Sequence, residues 1–173
     1  METSYIITFI GDDRPGLVEQ LSSVIEDNSG NWHESQLSQL GGKFAGLVLI
    51  TLPEGSAPAL ETALKALSAS GISVRVTPCS DAASIPLARK VTLSILGPDR
   101  SGIVREISQA LANHQVNVVE MDSRVSSAPM SAEMLFQARI DAQIPKDTNL
   151  DELSDTLDEI ANQMTLDISL ESA

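Results

Sequence analysis

The amino-acid sequence predicts an α+β protein in which one β-α-β-β-α-β unit occurs twice. The first observation behind this prediction is an internal repeat, because the loop sequence GDDRPG at residues 11–16 returns as GPDRSG at residues 97–102. The second is hydrophobic periodicity, since apolar residues at helical spacing alternate with apolar runs at strand spacing in both copies. The chain has 173 residues, which is enough for two small domains.

The repeat continues beyond the loop at a constant offset of 86 residues. Identical pairs include Gly11 and Gly97, Asp13 and Asp99, Arg14 and Arg100, Gly16 and Gly102, Asn31 and Asn117, and Glu34 and Glu120. Polar loop positions therefore match as well as core positions, and a shared helical pattern alone would reproduce only the core ones. We interpret the chain as a tandem duplication.

In the first copy, residues 5–10 form an apolar strand, and a helical stripe follows it. The stripe consists of Leu17, Val18, Leu21, Val24 and Ile25. Gly30 is expected to end this helix in the left-handed C′ conformation. Strands at 31–39 and 44–52 then flank a tight Gly-Gly hairpin turn.

The first copy closes with a second helix and a fourth strand. A loop at residues 53–58 leads into this helix, and Gly71 is expected to end it. The apolar residues of the helix are Leu60, Leu64 and Leu67. Residues 72–76 alternate between apolar and polar types, as a half-buried strand does.

The second copy repeats this order, with strands near 90–96, 116–125, 132–142 and 166–170. The apolar stripes of its two helices are Ile103, Val104, Ile107 and Leu111, and Leu150, Leu153, Leu157 and Ile160. The chain is accordingly expected to form one domain at residues 1–78 and another at residues 90–173, and the linker between them is expected at residues 79–89.

This element order predicts ferredoxin-like domains, each with two helices on one face of a four-stranded antiparallel sheet. We expect the other face to carry Ile, Val and Leu side chains that need cover from the second copy or from another molecule. An exposed sheet edge also favours extension of the sheet between copies. A pairing of the two copies within one chain and a homodimer both remain open.

Composition excludes several classes of partner. The formal net charge is −13, with 11 Lys and Arg residues against 24 Asp and Glu residues, so no basic stripe is available for nucleic acid or an anionic membrane. Cys79 is the only cysteine, which excludes an internal disulfide and a cysteine-based zinc site. The sequence lacks a signal-peptide pattern and a bilayer-spanning apolar run, so the expected location is the cytoplasm.

The repeated loop has the chemistry of an anion site. Gly11 lets the chain leave the strand with unusual backbone angles, and Asp13 can cap the helix. Pro15 suits the first helical position, and Gly16, in the first turn, leaves the backbone approachable. A helix start offers unpaired N–H groups to a carboxylate, and Arg14 could add a charged fork.

Turn geometry alone is an alternative explanation for the glycines and the proline of this loop. It is weaker for the arginine, because a turn needs none and the chain holds few cations, yet Arg14 and Arg100 occupy the same place in both copies. A surface ion pair with a nearby acid is the remaining structural explanation for these arginines.

Asn31 and Asn117 form a second matching pair, and each begins the strand that follows the first helix. In this topology that point lies at the opposite end of the sheet from the loop of the same copy, so the two can meet only across an interface. An amide offers both a donor and an acceptor, as an amino acid requires. An ordinary turn residue is the alternative.

Motifs for catalysis, cofactors and metals are missing from the sequence. It contains no G-x-G-x-x-G, P-loop, H-E-x-x-H or G-x-S-x-G sequence. The acidic stretch at residues 147–159 does not have the spacing of a calcium loop. We therefore expect no enzymatic activity, no cofactor and no metal site.

The element order, the sequence DRPG after the first strand and an asparagine at the head of the second strand resemble ACT domains. The pair at residues 5–77 and 90–171 is similar to the glycine cleavage system transcriptional repressor family, and the resemblance covers essentially the whole chain. The segment GDDRPGLVEQLSSVIEDNSGNWHES is typical of the amino-terminal ACT domain of such proteins. A similar DRPG sequence opens formyltetrahydrofolate deformylases, whose catalytic domain would not fit in 173 residues.

The resemblance implies amino-acid sensing, because ACT domains typically bind a small amino acid where this loop of one domain meets another domain. One implied half-site consists of Gly11, Asp13, Arg14, Pro15, Gly16 and Asn31. The other consists of Gly97, Asp99, Arg100, Gly102 and Asn117. Ser101 stands where the first copy has proline, so a looser or inactive second site is an open alternative.

In the family that the chain resembles, glycine is the implied signal, and repression acts through an activator protein that binds DNA. The charge of −13 fits this arrangement, because the chain itself would need a basic intermediary to affect DNA. The alternative function is a ligand-independent interaction module of ACT type, in which the loops are purely structural.

Overall fold

The computed structural model describes residues 1–80 and 88–172, and the chain divides into two compact units, residues 1–83 and 84–173. Both units have the order that the sequence predicts. The first contains β1 (Glu2–Asp12), α1 (Leu17–Asp27), β2 (Asn31–Leu40), β3 (Lys43–Pro53), α2 (Ala57–Lys65), a 3-10 helix (Ala66–Ser70) and β4 (Ser73–Pro78). The second contains β5 (Ala88–Pro98), α3 (Ile103–Asn113), β6 (Asn117–Ser127), β7 (Met134–Pro145), α4 (Leu150–Met164) and β8 (Asp167–Ser172).

Each unit forms one four-stranded sheet in which all neighbouring strands are antiparallel. The strand orders are β2-β3-β1-β4 and β6-β7-β5-β8, so the first and third strands of a unit lie side by side at its centre. The register places Ile7 opposite Val48 in the first sheet and Leu93 opposite Ile140 in the second. The predicted ferredoxin-like fold is confirmed for both units.

Alternation along the strands builds an aliphatic core on one face of each sheet. In the first unit, Ile7, Val48 and Ile50 are fully buried and join Leu21 and Leu60 from the two helices in one cluster. The second unit has an equivalent cluster of sheet and helix residues. Because both helices contribute their apolar stripe to the same cluster, they cover the same face of the sheet.

The opposite faces of the two sheets differ in polarity. In the first sheet, Ile6 lies opposite Leu49 on this open face. At the equivalent place in the second sheet, Thr92 lies opposite Asp141 and donates a hydrogen bond of 2.7 Å to its carboxylate. The expectation of an apolar second face is therefore wrong for the second unit, where polar residues occupy most of the outward positions of β5 and β7 and water can cover them.

Two of the three predicted glycine turns are present in the structure. Gly41 and Gly42 have φ of 59° and 75° in the hairpin between β2 and β3, and Gly71 has φ of 78° after the 3-10 helix. The prediction for Gly30 is wrong, because Ser29 takes the left-handed conformation with φ of 65°. Gly30 is needed for close packing instead, since a Cβ there would lie 2.6 Å from Ile25 Cγ2.

The predicted linker overlaps the start of the second sheet. Strand β5 begins at Ala88, which pairs with Pro145, so the last two residues of the predicted segment 79–89 belong to a strand. Cys79 is exposed and lies directly after β4. The part of the predicted linker at residues 81–87 lies outside the described residues.

Truncation of Ile7 tests which face of the first sheet is the core. Ile7→Ala should lower the free energy of unfolding by about 2–5 kcal/mol, because its side chain is fully buried. Ile10→Ala on the same strand is the matched control and should cost less than about 1 kcal/mol, since Ile10 is 48% exposed. Urea unfolding followed by the fluorescence of Trp32, which packs against this core, measures both. Equal losses would contradict the assignment of faces.

Candidate functional site

The repeated loop ends at a glycine that caps the following helix. Gly16 is the N-cap of α1 with φ of 86°, and Gly102 is the N-cap of α3 with φ of 95°. Neither helix receives a side-chain cap, whereas Asn149 Oδ1 accepts the N–H of Asp151 at 3.0 Å to cap α4. The first N–H groups of α1 and α3 are therefore left for an external acceptor or water.

This geometry corrects three predictions about the loop. Asp13 does not cap α1, because its carboxylate accepts a hydrogen bond from Gln39 Nε2 at 2.7 Å. Pro15 is not the first helical residue, since α1 begins at Leu17, and Gly16 is the cap rather than part of the first turn. The loop is instead bound to the hairpin between β2 and β3, because the Asp13 N–H donates to the Gly42 carbonyl at 3.0 Å.

Arg14 is exposed and lies beside the start of α1. Its Nη2 donates to Gln20 Oε1 at 2.8 Å and reaches the carbonyl of Ser70 at 3.5 Å. Gln20 Nε2 in turn donates to Ser70 Oγ at 3.0 Å. Arg14 thus links α1 to the end of the 3-10 helix, and its exposed guanidinium keeps donors that face solvent.

The second loop shares the backbone of the first but holds its arginine differently. The Asp99 N–H donates to the Met134 carbonyl at 2.8 Å, which matches the anchoring of Asp13 on the hairpin. Arg100 forms no hydrogen bond or ion pair within residues 1–80 and 88–172. The residue equivalent to Gln20 is Glu106, which cannot donate to a neighbouring hydroxyl as Gln20 does.

Gly11 and Gly97 are buried near the ends of β1 and β5, where neighbouring atoms leave little room for a side chain. A Cβ on Gly97 would lie 2.8 Å from the Thr165 carbonyl oxygen and 2.7 Å from Leu166 Cδ2. A Cβ on Gly11 would lie 3.1 Å from Leu17 Cδ1. Close packing therefore explains these two glycines without any ligand.

The asparagines lie far from the loops of their own units. Asn31 is opposite Thr51, which pairs with Ser4, whereas Gly11 pairs with Phe44 at the other end of β1. The separation is seven residues of one strand, or about 23 Å at about 3.3 Å per residue. Asn117 has the same relation to its loop, so the prediction that each asparagine lies at the opposite sheet end is confirmed.

Charges near the first loop are compensated within the unit. Asp12 forms an ion pair with Lys43 across the β1–β3 ladder. The hydrogen bond and the charge of Lys43 lower the pKa of the Asp12 carboxyl, with a smaller contribution from Arg14. Because the charge of Asp12 is already balanced by Lys43, the groups that the loop leaves exposed are the Arg14 guanidinium and the first N–H groups of α1.

A separate groove of about 700 Å³ lies on the open face of the second sheet. Its polar lining includes Ser94, Asp122, Arg124, Arg139 and Asp167. It contains none of the residues that the sequence predicts as a site. Sequence reasoning missed it because its lining comes from four strands, and the only sequence signal is the alternation of charged residues along β6 and β7.

Metal-binding side-chain clusters and membrane-spanning helices are both absent from the described part of the chain. Among its residues, no group of three or more His, Cys, Asp and Glu side chains could hold a metal ion. None of the helices found in that part is both long and apolar enough to cross a bilayer.

Family comparisons match both units. An ACT-domain family model matches residues 3–77, and a second ACT-domain model matches residues 91–158. The chain is a tandem ACT-domain protein. The two matched ranges contain all the predicted site residues, so each loop lies at the β1–α1 position of an ACT domain.

Solved structures resemble this tandem ACT-domain protein over its full length. A protein of unknown function from Galdieria sulphuraria is 29% identical, with a TM-score of 0.84 and coverage of 100% of this chain and 99% of the other. A candidate glycine cleavage system transcriptional repressor is 21% identical, with a TM-score of 0.72 and coverage of 100% and 98%. At 21% identity, the likeness to this second protein shows a shared fold.

Partial matches are also found. A formyltetrahydrofolate deformylase from Pseudomonas putida KT2440 is 20% identical over 49% of this chain and 28% of its own length, with a TM-score of 0.42. Among curated proteins, no sequence matches this chain significantly.

Substitution of the buried glycines tests whether packing explains them. Gly97→Ala should lower the free energy of unfolding by about 1–3 kcal/mol, because its Cβ would meet the backbone oxygen of Thr165. Gly11→Ala should cost less, since its nearest neighbour is the end of the Leu17 side chain. Urea unfolding followed by circular dichroism compares the two variants. A larger loss for Gly11→Ala would contradict this explanation.

Asp141 provides a test of pH dependence on the open face of the second sheet. Its pKa lies below the ordinary value of 3.8, mainly through the hydrogen bond from Thr92 and also through Arg139. Because the folded pKa is the lower one, this stabilisation is present above the ordinary value and is lost as the pH falls through the folded pKa. Thr92→Val should raise the Asp141 pKa in an NMR carboxyl titration, and Ser94→Ala should not. An unchanged pKa in Thr92→Val would refute the assigned cause.

Proposed function

We propose that this tandem ACT-domain protein is a non-catalytic cytoplasmic regulator that senses a small amino acid, glycine or a similar one. In this proposal it acts on transcription through contact with a DNA-binding activator protein. The observation that carries the proposal is the duplicated D-R-x-G loop, which leads in both units into a helix without a side-chain cap. The resemblance in fold to a candidate glycine cleavage system transcriptional repressor agrees with it.

The loop supplies complementary groups for an amino-acid carboxylate. The first N–H groups of α1 and α3 carry the partial positive charge of a helix N-terminus, and glycine at the N-cap leaves no Cβ in the way. A Cβ built on Gly16 or Gly102 would meet nothing within 4 Å, so the space beside each cap is open. Arg14 and Arg100 add a charged donor to each loop.

The asparagines set a geometric condition on the proposed site. Asn31 lies about 23 Å from the loop of its own unit, which is too far for one small molecule to contact both. Asn31 and Asn117 can therefore take part only if another ACT domain brings them to a loop. The loop residues are the primary half-site in this proposal, and the asparagines are secondary.

The net charge of the chain supports a protein partner that binds DNA. At −13, the chain is repelled by a phosphate backbone, so a regulator of transcription with this composition needs a partner that binds DNA itself. Amino-acid binding would favour one arrangement of the regulator and thereby change its affinity for that partner.

One observation favours a second candidate function, a ligand-independent interaction module. Arg14 already has acceptors within its own unit, Gln20 Oε1 and the Ser70 carbonyl, so its presence in the loop can be explained structurally. If this function holds, the loops maintain the fold and a partner binds to another surface. Ligand titration of arginine variants separates the two functions.

Calorimetric titration with glycine, serine and a panel of other amino acids tests the sensing function. The double variant Arg14→Ala with Arg100→Ala should bind about 10- to 100-fold more weakly, because each loop loses a charged hydrogen bond to the carboxylate. Arg75→Ala is the matched control, because Arg75 is an exposed arginine on β4 that belongs to neither loop, and this variant should bind as the unmodified protein does. Folded protein that binds no amino acid in the panel would contradict sensing and leave the interaction module.

A further inference from the structure

The groove on the open face of the second sheet has the size of a small-ligand site. Its volume is about 700 Å³, and its lining comes from all four strands of that sheet, β6, β7, β5 and β8. Pockets of this volume are typical of sites for small molecules. None of the loop residues of the proposed amino-acid site lines the groove, so a ligand in it would be held by a different set of side chains.

Two rows of side chains cross the strands and point into the groove. In strand order, the first row consists of Asp122, Arg139, Ser94 and Ser169. The second row consists of Arg124, Gln137, Leu96 and Asp167. Because serine side chains are short, the two serines of the first row leave a depression beside the longer side chains around them.

The groove contains charged groups of both signs that have no counter-ion in the chain. Asp122 and Asp167 form no ion pair within residues 1–80 and 88–172. Arg124 donates from Nε to Gln137 Oε1 at 2.9 Å, and its Nη groups form no hydrogen bond within the same ranges. A ligand with one sign of charge would meet a like charge in the groove, whereas a ligand with one positive and one negative group can pair with both.

The spacing of the charged groups sets the length of such a ligand. Arg124 is the guanidinium available to it, because Arg139 is already paired with Asp141 at 3.2 Å. Arg124 and Asp167 lie in one row, three strand spacings apart, which is about 14 Å at about 4.8 Å per spacing. Side chains stand roughly perpendicular to a sheet, so the two charged groups keep about this separation.

A short peptide matches this separation and a single amino acid does not. An extended chain spans about 3.3–3.6 Å per residue, so two or three residues place the terminal ammonium and carboxylate about 7–10 Å apart. Hydrogen bonds of about 2.8 Å at each end then reach both charged groups. The single residue of glycine leaves one end unpaired.

The floor of the groove is suited to peptide groups. Ser94 and Ser169 are exposed there, and a hydroxyl can donate to a peptide carbonyl or accept from a peptide N–H. Gln137 adds an amide, and Leu96, which is 39% exposed, adds an apolar contact. A ligand that carried only the two charges would leave these polar groups without a partner.

The first sheet does not carry these charges. At the positions of Asp122, Arg124, Arg139 and Asp167 it has the uncharged residues Gln36, Ser38, Leu47 and Ser73. The charged groove is thus a feature of the second ACT domain, and it is not part of the duplicated loop site.

We propose that this groove binds a short peptide with free termini, two or three residues long. Its ammonium pairs with Asp167, its carboxylate pairs with Arg124, and the hydroxyls of Ser94 and Ser169 bind its peptide groups. This inference does not rest on amino-acid sensing by the loops. Excess glycine in the test keeps any binding at the helix starts out of the measurement.

Calorimetric titration with triglycine tests the ligand class. Triglycine should bind saturably, with one molecule per chain. N-acetyltriglycine, which lacks the ammonium, and triglycinamide, which lacks the carboxylate, should each bind about 10- to 100-fold more weakly, because each loses a charge-assisted hydrogen bond. 6-Aminohexanoate carries both charges without peptide groups and should also bind more weakly than triglycine.

Substitutions in the groove test which residue meets which terminus. Asp167→Asn and Arg124→Gln should each weaken triglycine binding about 10- to 100-fold. Acetylation should cost little more in Asp167→Asn, and amidation should cost little more in Arg124→Gln, because the contact that each removes is already lost. Asp158→Asn on α4 and Arg75→Gln on β4 are the matched controls, exposed and outside the groove, and should bind as the unmodified protein does.

Circular dichroism checks that every variant is folded. Folded protein that shows no saturable binding of triglycine would overturn the proposal. Equal binding of 6-aminohexanoate and triglycine would overturn the assignment of a peptide, and undiminished effects of both blocked termini in the two groove variants would overturn the assigned contacts.

Discussion

The packing of two amphipathic helices on one aliphatic sheet face is the constraint on which the other features of each unit depend. Because α1 and α3 bury their apolar stripes against the central strands, the chain must turn back onto the sheet within the four residues that separate β1 from α1 and β5 from α3. That requirement brings the chain around a sharp bend, and it explains the buried glycine before the bend and the left-handed glycine after it. The open N–H groups of α1 and α3 are a consequence of this bend, and they are the donors of the proposed carboxylate site.

Sequence patterns predicted the element order, the antiparallel pairing and the core of both units, because alternation and helical spacing report burial directly. They did not predict the details that depend on which side chains come within reach in three dimensions. Asp13 is the clearest case. Its carboxylate accepts a hydrogen bond from Gln39, which is 26 residues away in sequence, and therefore binds β2 instead of capping α1. Gly30 shows the same limit, because contact with Ile25 rather than backbone conformation requires glycine there.

The two ACT domains have kept the loop and changed their surfaces. The first sheet has Ile6 and Leu49 on its open face, and the second sheet has Thr92 and Asp141 at the equivalent positions. The periodicity of strands allows such divergence, since outward positions can change while the buried face stays aliphatic. A repeated loop and different open sheet faces are therefore compatible within one duplicated fold.

Backbone amide NMR during a glycine titration is the most direct test of the central claim that the helix starts bind the amino acid. The largest ¹H–¹⁵N shift changes should occur at the N–H groups of residues 16–19 and 102–105, because these lie at the open caps of α1 and α3. Saturating changes confined to the groove on the second sheet, or no saturable change at the caps with any small amino acid, would contradict it.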